Sequence, residues 1–92
     1  MLDIKYSAKF KKDWKAIAKR KYSSILFEEV VEMLRTQIPL PEKYHDHALT
    51  GNWTGHRECH ISSDWLLIYK IKNEELLLIL TRTGTHSDLF EE

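Results

Sequence analysis

Leu2, Ile4 and Tyr6 occupy every second position at the start of the chain, with Asp3 and Lys5 between them, and this alternation predicts a short strand. Ser7 follows, a residue suited to cap a helix. Beyond it Phe10, Trp14 and Ile17 recur at helical spacing and form an apolar stripe, which reads as core, while Lys11, Lys15 and Lys19 line another face. Ser23 or Ser24 caps a second helix in which Phe27, Val30 or Val31, Leu34 and Ile38 repeat at the same spacing. Glu28 and Glu29 are expected early in it, where the helix dipole favours negative charge, and Pro39 and Pro41 are expected to stop it.

A polar loop runs from Leu40 to about Trp53 and holds His45, Asp46 and His47. The last third changes period. Residues 56–61, 65–71 and 75–82 read as three strands, separated by turns at Ser62-Ser63-Asp64 and Lys72-Asn73. Short turns make consecutive strands antiparallel neighbours, hence a three-strand meander. The pattern predicts an α+β two-layer sandwich: an N-terminal strand, two helices over one sheet face, then the meander that completes the sheet. Thr83-Gly84-Thr85 is expected to end the last strand, with residues 86–90 as the terminal segment.

At 92 residues the chain reads as one domain, and its hydrophobic fraction of 42% excludes intrinsic disorder. No apolar run approaches the roughly 20 residues of a membrane span, and no apolar core follows a basic start as in a signal peptide. The single Cys59 excludes an internal disulfide and a multi-cysteine metal site, and reads as a structural thiol. A cytoplasmic protein is the expectation. Net charge is zero, but residues 1–22 hold eight Lys and Arg against two Asp, while Glu28, Glu29, Glu32, Asp88, Glu91 and Glu92 carry acidic balance elsewhere. Lys9, Lys11 and Lys15 therefore offer a phosphate-facing surface, or else a solvated helix face.

All five histidines lie between positions 45 and 86. Imidazole titrates near neutrality and is the usual general acid or base. In the predicted meander His60 ends the first strand, Asp64 sits in the adjoining turn, Arg82 ends the third strand and His86 follows within four residues. His60 and Arg82 are expected as neighbours at one sheet edge, with the His47 loop folded over them. Metal-independent RNA cleavage needs such a set: a base for the 2′-hydroxyl, a cation for the phosphoryl oxygens and an acid for the departing 5′-oxygen. Asp64 can orient a histidine, and the rings of Trp65 and Phe90 can stack on bases. Trp53 reads as a packing residue. Zinc held by His45, His47, His60 and Asp64 is the competing use of these residues, without the tight ligand spacing of a zinc site.

Three runs then resemble one family in order and spacing: Asp46-His47-Ala48-Leu49-Thr50-Gly51-Asn52-Trp53, the stretch from Arg57 to Tyr69 that includes Glu58, His60, Asp64 and Trp65, and Thr81-Arg82-Thr83-Gly84-Thr85-His86-Ser87-Asp88-Leu89-Phe90. Together they cover about half the chain and resemble the YafQ-type toxins of the RelE/ParE superfamily. The resemblance implies the RelE-like fold and a ribosome-dependent endoribonuclease that cuts mRNA in the decoding site, with a family preference for adenine-rich lysine codons. It implies His47, His60, Asp64 and His86 as the catalytic set, Arg82 at the scissile phosphate, and Trp65 and Phe90 as residues that help form the site. The roles assigned on that basis are His86 as acid, His60 or His47 as base, and Arg82 as electrostatic stabiliser. The resemblance also implies a co-expressed antitoxin of the RelB/DinJ type, contact with operator DNA only through the joint complex, and neither cofactor nor metal. His45 and His56 fall outside the signature and read as surface residues. Two alternatives share the fold: a ParE-like gyrase inhibitor without nuclease activity, and an inactive antitoxin-binding module.

Overall fold

In a computed structural model, residues 1–90 are described; Glu91 and Glu92, counted above among the acidic residues, lie outside them. The elements run β1 (Asp3–Tyr6), α1 (Ala8–Lys19), α2 (Ser24–Arg35), β2 (His47–Ala48), β3 (Arg57–Ser62), β4 (Trp65–Lys72), β5 (Leu77–Gly84) and α3 (His86–Phe90). Single 3-10 turns at Glu42–Tyr44, Gly51–Trp53 and Asn73–Glu75 punctuate the connections. The predicted α+β arrangement of strand, helix pair and meander is present.

Ser7 caps α1 as expected: its Oγ accepts from the Phe10 N–H at 2.9 Å. The same hydroxyl donates to the Thr81 carbonyl at 2.6 Å, which ties the helix start to β5. Ser23, not Ser24, caps α2, accepting from the Leu26 N–H at 3.4 Å. Glu28 and Glu29 lie beyond the first turn of α2, so the dipole argument for them does not hold. Nor do the prolines end this helix. It stops at Arg35 because Gln37 turns left-handed (φ 59°), letting the Ile38 N–H reach the Met33 carbonyl and the Gln37 N–H the Leu34 carbonyl. That paired closure satisfies two of the last carbonyls. Ile38 is thereby thrown outside the helix and is exposed, not core.

The sheet order is β1-β5-β4-β3-β2, with β1 parallel to β5 and every other pair antiparallel. The edge strand β2, only two residues long, arises within the expected loop. The third strand also runs to Gly84, two residues past its predicted end. One sheet face presents Cys59, Ile61, Trp65, Leu67, Tyr69, Leu78 and Leu80 to Phe10, Ile17, Phe27, Val30 and Leu34 of the helices. The opposite face is partly covered too. There Leu66 and Ile68 pack with Leu89 and Phe90 of α3 and with Leu49 and Trp53 of the β2–β3 connection. Trp53 is thus a packing residue, as read from the sequence. Strand alternation does the sorting: His60, between Cys59 and Ile61, and Leu66 and Ile68, which alternate with Trp65, Leu67 and Tyr69, must point to this second face.

Candidate active site

The second face is where the histidines meet. His47 pairs in register with Glu58, Glu58 with Ile68, and His60 with Leu66, so His47, Glu58 and His60 project on the same side. His47 is anchored through its neighbour. Asp46 accepts a hydrogen bond from the buried Tyr69 hydroxyl at 2.5 Å and faces Arg57 at 3.3 Å, which fixes the chain just before β2. Burial, followed by the Asp46 hydrogen bond and charge, raises the Tyr69 phenol above its ordinary range, so it stays a donor. The His47 Nδ1 lies 2.8 Å from the His45 carbonyl oxygen, which only accepts; the ring therefore donates there, and Nε2 is its basic nitrogen. That Nε2 is 3.6 Å from Glu58 Oε1, and His60 Nε2 is 3.9 Å from the same oxygen. The Glu58 side chain is 4% exposed, His60 24% and His47 51%, so the carboxylate forms the floor and the rings the rim.

His86 opens α3. Asp64, in the β3–β4 turn, stands 3.3 Å from His86 Nδ1 and accepts from its backbone N–H at 3.4 Å. This contact orients the ring and leaves Nε2 outward. The His86 ring centre is 6.0 Å from that of His60 and 5.9 Å from that of Phe90. The short α3 is held at both ends of its first turn: the Thr85 N–H donates to Asp88 Oδ2 at 2.9 Å, and the Asp88 N–H to Thr85 Oγ1 at 3.1 Å. Arg20, at the end of α1, pairs with Asp88 at 2.6 Å. That guanidinium, then the Thr85 N–H, lower the Asp88 carboxyl from 3.8 to about 2. Gly84 makes the arrangement possible, since at φ 154° a Cβ there would meet Asp88 at 2.9 Å.

A family model for the bacterial toxin of the type II toxin-antitoxin system, YafQ, matches residues 2–91. The chain belongs to the YafQ family. It is 42% identical over 89 residues to the mRNA interferase toxin YafQ of Escherichia coli K12, a match covering 96% of this chain and 95% of that protein. Among solved structures it resembles a metal-bound toxin from Helicobacter pylori at 47% identity and TM-score 0.92, covering 98% of this chain and all of that one. It also resembles a chain of the E. coli DinJ-YafQ complex at 41% identity and TM-score 0.86, covering 98% and 99%.

Of the residues carried over from the YafQ signature, His47, His60, Asp64, His86 and Phe90 come together in one place. Arg82 is rooted nearby, since it pairs with Ile68, the residue that also pairs with Glu58. Its guanidinium turns to α1 and forms a two-point pair with Asp13 at 2.8 and 2.9 Å. Trp65 must be corrected as a base-stacking residue. Alternation in β4 puts its indole in the helix-side core, 1% exposed, 4.9 Å from the Tyr22 ring, with Nε1–H donated to Thr83 Oγ1 at 2.8 Å. It supports the site from beneath the sheet and shows no ring face to a ligand. Lys9, Lys11 and Lys15 are exposed on α1, in the layer across the sheet from the histidines, and are not part of the cluster.

Two residues were missed. His45, read as surface, stacks edge-on to His60 at 5.3 Å between ring centres and lines a cavity of about 290 Å³ with Tyr44, His60 and Ser62. Glu58 stands in the sequence as one residue of the second signature run. The signal for it was its spacing: two positions before His60 in an alternating strand, it had to share the histidine's face. Cys59 is fully buried and burial pushes its thiol well up, in keeping with a structural role. His56 lies against Trp53, apart from the cluster.

Proposed function

We propose that this chain is the endoribonuclease toxin of a type II pair and cuts mRNA on the ribosome, in the decoding site, by metal-independent acid–base catalysis. The observation that carries this is the row of imidazoles, with His47 and His60 on one buried carboxylate and His86 on another carboxylate 3.3 Å away, ending at the aromatic ring of Phe90. Such a row supplies two proton-transfer groups of different surroundings at one place, which is what transesterification of RNA requires. His60 or His47 takes the 2′-hydroxyl proton. The 2′-oxygen attacks the adjacent phosphorus, and the P–O5′ bond breaks. His86, oriented by Asp64, gives a proton from Nε2 to the departing 5′-oxygen. Products are a 2′,3′-cyclic phosphate and a 5′-hydroxyl. Arg82 supplies positive charge to the phosphoryl oxygens once its guanidinium swings from Asp13 to the sheet face that carries the histidines. Phe90 positions the base beside the scissile bond by stacking.

The H. pylori relative is described as metal-bound. The steps proposed above draw on this chain's own side chains. Lys9, Lys11 and Lys15 serve ribosomal RNA rather than the scissile phosphate, because they lie on the helix layer. The cognate partner is a RelB/DinJ-type antitoxin, as in the E. coli complex, and operator DNA is met only through that complex. A groove of about 690 Å³ floored by Phe10, Trp14, Phe27 and Val31 gives an apolar helix or strand of the antitoxin a place to lie. Among the described residues no helix is long and apolar enough to cross a membrane, and the cytoplasm is the compartment where the proposed substrate is found.

Purified protein mixed with ribosomes stalled on a defined mRNA tests this directly. Cleavage within the decoding-site codon, lost in His86→Ala, is expected. Cleavage unaffected by His86→Ala would remove the proposed acid, and inhibition of gyrase without RNA cleavage would replace the nuclease with a ParE-like toxin.

A further inference from the structure

Glu58 is the only buried carboxylate among the described residues, and its Oε2 has no hydrogen-bond partner among them. Leaving a buried polar atom unpaired costs about 1–3 kcal/mol, and more for a charged one. An apolar side chain at this position would lie over Ile68, its register partner, and continue the small core of Leu66, Ile68 and Leu89. Stability therefore does not account for a carboxylate here. Its near neighbours on the open side are imidazoles: His47 Nε2 at 3.6 Å and His60 Nε2 at 3.9 Å, both on Oε1.

Those distances are too long for hydrogen bonds and suit a contact between charges. The His47 Nδ1–H is already given to the His45 carbonyl, so in its neutral form this ring turns a lone pair toward a carboxylate oxygen. Two such acceptors repel, and a proton added to Nε2 converts the repulsion into attraction. The carboxylate thus faces the nitrogen at which a transferred proton arrives. A base that takes the 2′-hydroxyl proton passes through that same change.

On the nuclease reading of the site, we infer that Glu58 is a positioning residue for cleavage: it seats the two base candidates and carries the counter-charge when one becomes imidazolium. Atoms balance without a further reactant. The hydroxyl O–H breaks, an N–H forms on His47 or His60, and the new positive charge faces the Glu58 carboxylate. Other charged or titratable groups around the trio are already committed elsewhere: Asp64 to His86, Asp46 to Arg57 and Tyr69, and Asp13 to Arg82. Among the described residues the His45 ring, 5.3 Å from His60, and the His86 ring, 6.0 Å from it, are further titratable neighbours.

The test is Glu58→Gln, which keeps the size and removes the charge, read in three ways: single-turnover cleavage of ribosome-bound mRNA, the melting temperature, and the ring-nitrogen NMR shifts that report doubly protonated imidazole. Cleavage should fall by roughly tenfold or more, while the melting temperature holds or rises. The ring-nitrogen shifts of His47 and His60 should move, with those of His86 unchanged. Glu58→Asp, which restores the charge on a shorter arm, should recover part of the rate. If wild type cleaves and Glu58→Gln cleaves equally with unchanged ring spectra, the role given to Glu58 is wrong and the nuclease stands. A wild type that cleaves nothing overturns the nuclease reading, and the role of Glu58 with it.

Discussion

Trp65 and Glu58 show how a strand residue's use depends on which face it meets. Both stand in runs that carry the family signature, and both are almost fully buried. The indole lies among Trp14, Tyr22 and Phe27 on the helix side, whereas the carboxylate lies beneath two imidazoles on the other. Trp65→Phe should therefore behave as a stability variant. It removes the donor to Thr83 and should cost about 1 kcal/mol, readable as a lower denaturation midpoint, while affinity for RNA-loaded ribosomes stays as it was. Unchanged stability with weakened RNA binding would restore Trp65 to the substrate. The sequence showed these residues but not their sides. Trp65 to Ile71 is apolar at almost every position except Lys70, and a strand buried on both faces has no alternation to read. Glu58 reads as no more than one residue of a signature run, because nothing in the pattern announces that α3 and the β2–β3 connection cover the second face.

At the scale of elements, the caps and the meander were legible, since Ser7, Ser23 and the strand turns act through local geometry. The end of α2 was not: a left-handed Gln37 does the work that glycine usually signals. The two-residue β2 was also hidden, because its pairing with Glu58 and Arg57 is imposed by Asp46 and Tyr69 and leaves no period in so short a piece. The site nonetheless depends on such short elements, α3 above all. The Arg20–Asp88 pair fixes α3, and with it His86 and Phe90, to the end of α1. A carboxyl lowered on folding adds stability above its ordinary value and loses that contribution as pH falls through the lowered one. For Asp88 the window lies between 3.8 and about 2. Asp88→Asn should flatten the acid limb of the stability curve across that window and, by loosening the seat of His86, reduce cleavage at neutral pH by about tenfold. An acid limb that coincides with that of the wild type would show that the pair does not anchor α3.

The whole molecule divides its charges between two layers. The N-terminal 22 residues hold eight Lys and Arg and include α1 of the helix layer, while the clustered histidines occupy the opposite sheet face. A small protein arranged in this way can hold a large polyanion with one surface and work on a single phosphodiester with another. Replacing Lys9, Lys11 and Lys15 by Gln should weaken ribosome association and reduce the slope of log affinity against log salt by roughly 2, with the rate at saturating ribosomes retained. An unchanged slope would leave α1 as a solvated face. The central claim is that the imidazole row, completed by His86, cuts mRNA while it is being translated. The most direct test is to map new 5′ ends in cellular mRNA after brief induction of the wild type and of His86→Ala. The account predicts ends inside translated codons, enriched at adenine-rich triplets, with the wild type and their absence with the variant. Growth arrest by the wild type without new ends would contradict it.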